Sequence, residues 1–441
     1  MLSRRQFVTT ATGIALGGGV LSACGGEEDP ELAEGEVLRM RVWDEAAASA
    51  YRTALETFTA DTGLEVEVEV LAWEDYWAQV PLDVAAETLP DVLWMNTANL
   101  AQLVDGEDQA LLDAGALAGD EASGWEDAAT ELYRRDGTLW GVPQVFDRTV
   151  LLAHDELVTA AEGNPDELSF DPGADSDPLR ELSRQLTVDG EDRHPGDEDF
   201  DAGSRSVIGF GAQPDRSAVL GPFIAGNGGA WQDDAENFVF GSEQGIAAVQ
   251  YLADMATGHL APDGTATAED LGHCRSLFID GTLALLQTGT YDLGPVLEDI
   301  DGGFGWSIHE AVAGPEGSRP LVHAIAAVAA EPEDEEREPA IGRLLAFLGT
   351  ADGQRPLAQA RVGIPAHRDL RSDWVDSWAE VGVDVEAVSE LPNALAEPEQ
   401  GVRSAEGTGA ALPIIATVFT GEAEAAEAVP EAQQAALEAK G

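Results

Sequence analysis

From residue 37 onward the apolar positions change period from one short segment to the next. Val37 to Trp43 is a mainly apolar run that predicts a strand. Glu45 to Asp61 sets Tyr51, Leu55 and Phe58 on one helical face, and Gly63 supplies the stop. Leu64 to Val70 alternates strictly, with Leu64, Val66, Val68 and Val70 toward a core and the intervening glutamates toward water, so a second strand follows. A helix over about Glu74 to Glu87 ends near Pro90, and Val92-Leu93-Trp94-Met95 reads as a strand covered on both faces. Strand, helix, strand, helix, strand predicts an α/β layered domain with a largely parallel sheet.

A second set of elements starts after Leu139 to Asp147. Val150 to Ala153 predicts a strand, Pro178 to Leu186 a helix, Val207 to Phe210 a strand, and Ser242 to Thr257 and Ala268 to Asp280 helices. Leu283 to Gln287 and Leu321 to Ala330 read as further strands, and Pro339 to Leu348 as a helix with Ile341, Leu344, Leu345 and Leu348 on its apolar face. The last twenty residues, rich in Ala and Glu, predict an exposed terminal helix. Residues 188–204 form an acidic loop, read as a solvated insertion. Calcium is the alternative there, without EF-hand spacing of the oxygen ligands.

Composition narrows the partners. The chain carries 83 acidic against 23 basic residues, a formal charge of −60, and its only lysine is Lys440. Nucleic acid is excluded as a partner, because phosphate binding needs a basic surface. So dense an acidic surface, with Arg nearly replacing Lys, points to a cell living in high salt or alkali, where carboxylates stay hydrated and their repulsion is screened. No segment after the leader approaches a transmembrane span.

The leader itself is informative. Ser3-Arg4-Arg5-Gln6-Phe7-Val8, a mild apolar run and Leu21-Ser22-Ala23-Cys24 resemble a twin-arginine export signal ending in a lipobox. That resemblance implies a signal peptide over residues 1–23, lipidation of Cys24 on the outer face of the cell membrane, and a polar, acidic tether over 24–36. The second cysteine, Cys274, then has no partner, and Leu271, Cys274 and Phe278 share a helical face, so a buried thiol is expected.

Enzymatic signatures are missing: there is no G-x-S-x-G, no H-E-x-x-H, no phosphate loop and no G-x-G-x-x-G after a strand. The seven histidines are scattered without metal-ligand spacing. No cofactor or metal is expected. Aromatic and polar residues do gather at strand ends, where α/β domains bind their ligands. Trp43 and Asp44 end the first strand, Asn96 follows the third, Phe146 and Asp147 sit at the domain crossover, and Trp231 and Tyr291 lie in turns of the second half. Flat rings beside carboxylate and amide groups suit neutral sugars, whose C–H faces lie on the rings while their hydroxyls bond to the polar groups.

At these residues the chain resembles the extracellular solute-binding proteins of sugar ABC transporters, the broad family that includes maltose-binding protein. The pieces that carry the resemblance are Leu38 to Asp44, Pro90 to Asn96, Asp136 to Pro143, Asn227 to Trp231, Phe278 to Leu285 and Val362 to Pro365. It implies a two-lobe periplasmic-binding-protein-like α/β fold, each lobe a mixed, mostly parallel sheet flanked by helices, with the ligand cleft between them. Residues 37–147 plus about 312–353 would form the first lobe, and about 148–311 plus 354–441 the second. It further implies Asp147 as an acidic sugar ligand, Asp44 as a polar one and Trp231 as an aromatic platform. The sequence departs from the family at Ala153-His154 and over Leu321 to Ala326, where His323 stands in a stretch usually rich in glycine. The expected partners are a sugar and the subunits of a membrane permease, with the chain a monomer doing no chemistry of its own. A lipid-anchored glycoside hydrolase, or the same fold binding a peptide or polyamine, is the alternative.

Overall fold

Pro143, Asp147 and Arg148 interrupt the apolar pattern around the predicted crossover, yet the backbone runs extended straight through them. In the computed structural model, which describes residues 36–105, 110–118 and 123–441, Val142–His154 is one continuous strand of 13 residues, every one buried. At about 3.3 Å per residue it spans roughly 40 Å. Cys24, the leader and nearly all of the tether lie outside the described residues.

The strands, in chain order, are β1 (Leu38–Val42), β2 (Val66–Val70), β3 (Val92–Asn96), β4 (Arg134–Arg135), β5 (Thr138–Leu139), β6 (Val142–His154), β7 (Val188–Asp189), β8 (Arg205–Phe210), β9 (Leu283–Gly289), β10 (Trp306–Glu310), β11 (Val322–Ala329) and β12 (Ile364–Pro365). β4 and β5 make a small hairpin; the others join in the order β2-β1-β3-β11-β6-β9-β8-β7, with β10 and β12 also on β6. β1 is parallel to β2 and β3, and β8 to β9, whereas β6 and β11 run antiparallel to their neighbours. The fold is therefore a two-lobe α/β arrangement on a mixed sheet, as the sequence led one to expect.

β6 joins the lobes because its two halves choose different partners. Val142 to Arg148 pairs with β11, while Thr149 to Ala153 pairs with β9 and Val150 to His154 with β10. Pro143 has no N–H to donate to a ladder, and the register against β11 shifts between Ile325 and Ala326, opposite it. A bulge is where a strand tolerates a proline, which explains why the apolar pattern understated this element.

Two apolar cores flank the sheet. One gathers Leu38, Met40, Tyr51, Trp94, Val145, Leu345 and Trp374 and continues to Cys274, Phe278 and Leu286. The other lies under the helices Pro178–Leu186, Glu243–Thr257, Ser404–Phe419 and Ala425–Lys440. The last of these is not the exposed helix expected: Ala425, Ala428, Val429, Ala432 and Ala436 are buried, small side chains that let the helix pack closely. The expected helix over Ala268 to Asp280 is two, Gly264–Glu269 and His273–Ile279. Cys274 and Phe278 are buried as anticipated, but Leu271 lies in the turn between the helices and is 46% exposed. The acidic loop over 188–204 folds round fully buried Asp189, whose carboxylate accepts N–H bonds from Glu191, Arg193 and Asp201 and an ion pair from Arg193 at 2.8 Å.

Candidate functional site

On the first-lobe side, strand ends double as helix starts. Asp44 follows β1 and caps the helix Glu45–Thr62, its Oδ1 accepting from the Ala47 N–H at 2.7 Å. Asn96 ends β3 and caps the helix Thr97–Val104, accepting from the N–H of Asn99 at 3.1 Å and its side-chain amide at 2.8 Å. Both residues therefore satisfy helix N–H groups first, and any ligand bond would use what is left of their oxygens. Trp43, half-buried, lies 4.9 Å from the ring of Trp94, 5.1 Å from Tyr76 and 5.2 Å from Trp73, mostly edge to face. Trp73 is 50% exposed and forms the open rim of this aromatic wall.

The crossover is ionisable. Asp147 on β6 stands opposite His323 on β11. It is buried, and its Oδ1 accepts from Thr290 Oγ1 at 2.9 Å. Burial, with a contribution from Asp292, pushes its carboxyl up to about 7, against the pull of the Thr290 bond. Burial and the nearby Arg216 guanidinium together take the His323 imidazole down to about 3, so it is neutral.

Arg216 opens the turn that follows β8. Only 6% exposed, it donates from Nη2 to the Glu397 carbonyl at 3.1 Å, while Nε and Nη1 have no hydrogen-bond partner. Burial brings its guanidinium down to about 10 although Glu399 and Asp215 favour the charge. Burial also raises the carboxyl of Asp215, which caps the turn through the Ala218 N–H at 2.6 Å.

The seven predicted site residues fall into different surroundings. Asp147 and Tyr291 are drawn together around Thr290, and Tyr291 is 44% exposed at the turn after β9. Its ring lies across Gly289, where a Cβ would come within 2.0 Å of the ring edge, so only glycine fits below it. Trp43, Asp44 and Asn96 share the opposite, first-lobe side. Phe146 does not reach the site: it is fully buried in the first core, with the Arg371 guanidinium 4.9 Å from its ring centre. Side chains alternate along a strand, so Asp147 faces away from its neighbour.

Trp231 is also not the open platform expected. It is 4% exposed, stacked on Phe240 at 4.3 Å, and donates from Nε1 to Thr408 Oγ1 at 3.2 Å. Its remaining neighbour of note is Arg216, 5.4 Å from the ring, so Trp231 acts on the site by supporting that guanidinium.

Sequence reasoning passed over Gln213, Asp215, Arg216 and Asp292. Gln213-Pro214-Asp215-Arg216 follows β8 as Asp44 follows β1, and the strand-end rule applied there would have found it. Among the described residues no group of three or more His, Cys, Asp or Glu is placed to hold a metal ion. None of their helices is long and apolar enough to cross a membrane. The arrangement suits a polar solute that accepts from Arg216 and donates to carboxylates while lying along aromatic rings.

Comparison with known proteins fits this geometry. The model of a bacterial extracellular solute-binding protein family matches residues 53–383. UspC of M. tuberculosis has a similar solved structure, 30% identical, with a TM-score of 0.79 over 92% of this chain and 100% of that one. An ABC substrate-binding protein from Listeria monocytogenes in complex with cycloalternan superposes with a TM-score of 0.73 at 15% identity, over 91% of this chain and 98% of that one. The cyclic alpha-maltosyl-1,6-maltose binding protein from Arthrobacter globiformis gives 0.73 at 17% identity, over 92% and 98%. Among curated proteins no sequence matches.

Proposed function

The chain belongs to the bacterial extracellular solute-binding proteins, and from that premise we propose that it captures a sugar or oligosaccharide between its lobes and hands it to the permease of an ABC importer. The observation that carries this reading is the buried Arg216, whose Nε and Nη1 lack partners beside Trp231 and His323. A buried donor left unmade costs about 1–3 kcal/mol, so such a group is kept for something that arrives. A sugar hydroxyl meets it well, since the same oxygen accepts from the guanidinium and donates to a carboxylate such as Asp147 or Asp215.

The cleft binds and releases without making or breaking bonds, and the two lobes close on the solute by bending at the β6 and β11 crossings. The proposed first lobe is 37–147 with about 312–388, and the second about 148–311 with about 389–441. The expected break after 353 falls inside the helix Ala351–Gln359, which packs on Glu45–Thr62, and Leu357, Ala358, Trp374 and Trp378 join the core around Tyr51 and Trp94, so residues up to about 388 go with the first lobe. Export by the twin-arginine route and lipidation at Cys24 would hold the monomer on the outer face of the membrane beside its permease. Cys24→Ser tests the anchor by fractionation; a variant that matures normally and stays with the membrane overturns it.

A thermal-shift screen of neutral mono-, di- and oligosaccharides tests the function itself. A ligand at 100 times its Kd stabilises by about 2.7 kcal/mol, which a melting curve resolves. No shift with any sugar, and a shift with spermidine or a peptide instead, would overturn the proposal.

A further inference from the structure

The turns after β8 and β9 enclose a cavity of about 220 Å³. Gln213, Asp215, Thr288 and Asp292 line its polar side, with Leu271 and Tyr291 among its apolar walls. Gln213 is 5% exposed, and its Oε1 is buried without a hydrogen-bond partner. Leu271 and Tyr291 are two of the few large apolar side chains left open to solvent, and both belong to this one cavity, so they form its rim.

Much of the charge in the cavity is already answered, with Arg275 on Asp292 and the Arg216 guanidinium near Asp215. Asp292 pairs with Arg275 at 2.7 Å and accepts from the Thr288 hydroxyl, and Asp215 accepts from the Ala218 N–H. What remains open is acceptor capacity: Gln213 Oε1 and the unused carboxylate lone pairs. Such a wall calls for hydroxyl donors more than for a cation. Pockets for drug-sized ligands run from about 300 Å³ upward, so this one holds a single ring, with room equal to about seven waters at ~30 Å³ each.

Resting on the proposed sugar-binding role, we propose that this cavity is a terminal subsite. It takes one end ring of the captured sugar, with ring hydroxyls donating to Gln213 Oε1, Asp215 and Asp292 and the ring's apolar face against Tyr291 and Leu271. The rest of the solute extends toward Asp147, since Thr290, next to Tyr291, bonds that carboxylate.

Two variants test the subsite by calorimetry with glucose, maltose, maltotetraose and cycloalternan, together with any further neutral sugar that shifts the melting of the wild type. Gln213→Leu removes the open acceptor, and Leu271→Trp blocks the rim at an exposed position where folding is not at stake. Both are expected to weaken binding about tenfold or more, with the Leu271→Trp melting temperature unchanged. Wild-type affinity in both variants overturns the subsite while leaving the sugar-binding reading intact. Failure of the wild type to bind any sugar, or its binding spermidine in their place, overturns the two together.

Discussion

The two sides of the crossover solve the same problem with different chemistry. The first-lobe side is mainly aromatic: Trp43, Trp73, Tyr76 and Trp94 make a wall, and its polar residues Asp44 and Asn96 serve as helix caps. On the side of the crossover and the second lobe, Asp147, Gln213, Asp292 and Arg216 are buried and Asp215 is half-buried, with Arg216 Nε and Nη1 and Gln213 Oε1 still unmatched. The first side leaves one buried indole N–H unmatched, that of Trp77, whereas the second leaves two guanidinium N–H donors and an amide oxygen. Area and ring contact on the first side are tolerant of which sugar lies there, whereas unmatched buried polar groups reject a solute that cannot pair with them. Selectivity should therefore reside in the second lobe.

The sharpest way to break this contrast is Arg216→Gln. Charge-assisted hydrogen bonds are worth about 1.5–3 kcal/mol each, so affinity for the best sugar should fall by a factor on the order of 10 to 100. Melting should also drop, because Asp215 and Glu399 lose the cation they face. If calorimetry finds the affinity unchanged, Arg216 is a structural ion and the second lobe is not the selective side.

The next largest effect should depend on pH. Asp147 titrates near 7 in the folded chain, pushed there by burial and then by Asp292, against an unfolded value of about 3.9. The folded state thus prefers the protonated acid. That preference contributes fully below pH ~3.9, fades as pH rises, and is lost above about 7, where a buried carboxylate is charged. Asp147→Asn is neutral throughout, so it should melt with the wild type near pH 4 and a few degrees above it near pH 8. Sugar affinity of the wild type should rise through pH 7 while that of Asp147→Asn stays flat. Parallel melting curves across this range would place the Asp147 titration elsewhere.

Much of the frame was legible because it rests on local periodicity. Strict alternation over Leu64 to Val70 and the apolar run at Val92 to Met95 led to β2 and β3, and Gly63, at φ 75°, stops its helix as read. β6 was understated because pairing with different strands on its two halves is a tertiary property, and the bulge that admits Pro143 leaves no local sign. The site was legible as a place more than as a set of residues. Strand ends pointed to Asp44 and Asn96 and the crossover to Asp147, which stands in the middle of β6, but whether a tryptophan is platform or core depends on what packs over it. Phe240 and Thr408, the latter 177 residues away, bury Trp231, and no window of sequence shows that.

The first-lobe side should yield the smaller effects, and they separate stability from binding. Asp44→Ala removes a helix cap and should cost about 1 kcal/mol of stability with little change in affinity. Trp73→Ala should do the reverse. Half of its surface is open, so folding loses little, but a sugar ring resting on it would lose contact worth about 0.5–1.5 kcal/mol, a drop in affinity of roughly 2- to 12-fold. The loss should be similar for every sugar that binds, since a ring face reads no hydroxyl pattern. A Trp73→Ala protein whose affinity falls for one sugar and not for another would move part of the selectivity into the first lobe and undo the division of labour between the two sides.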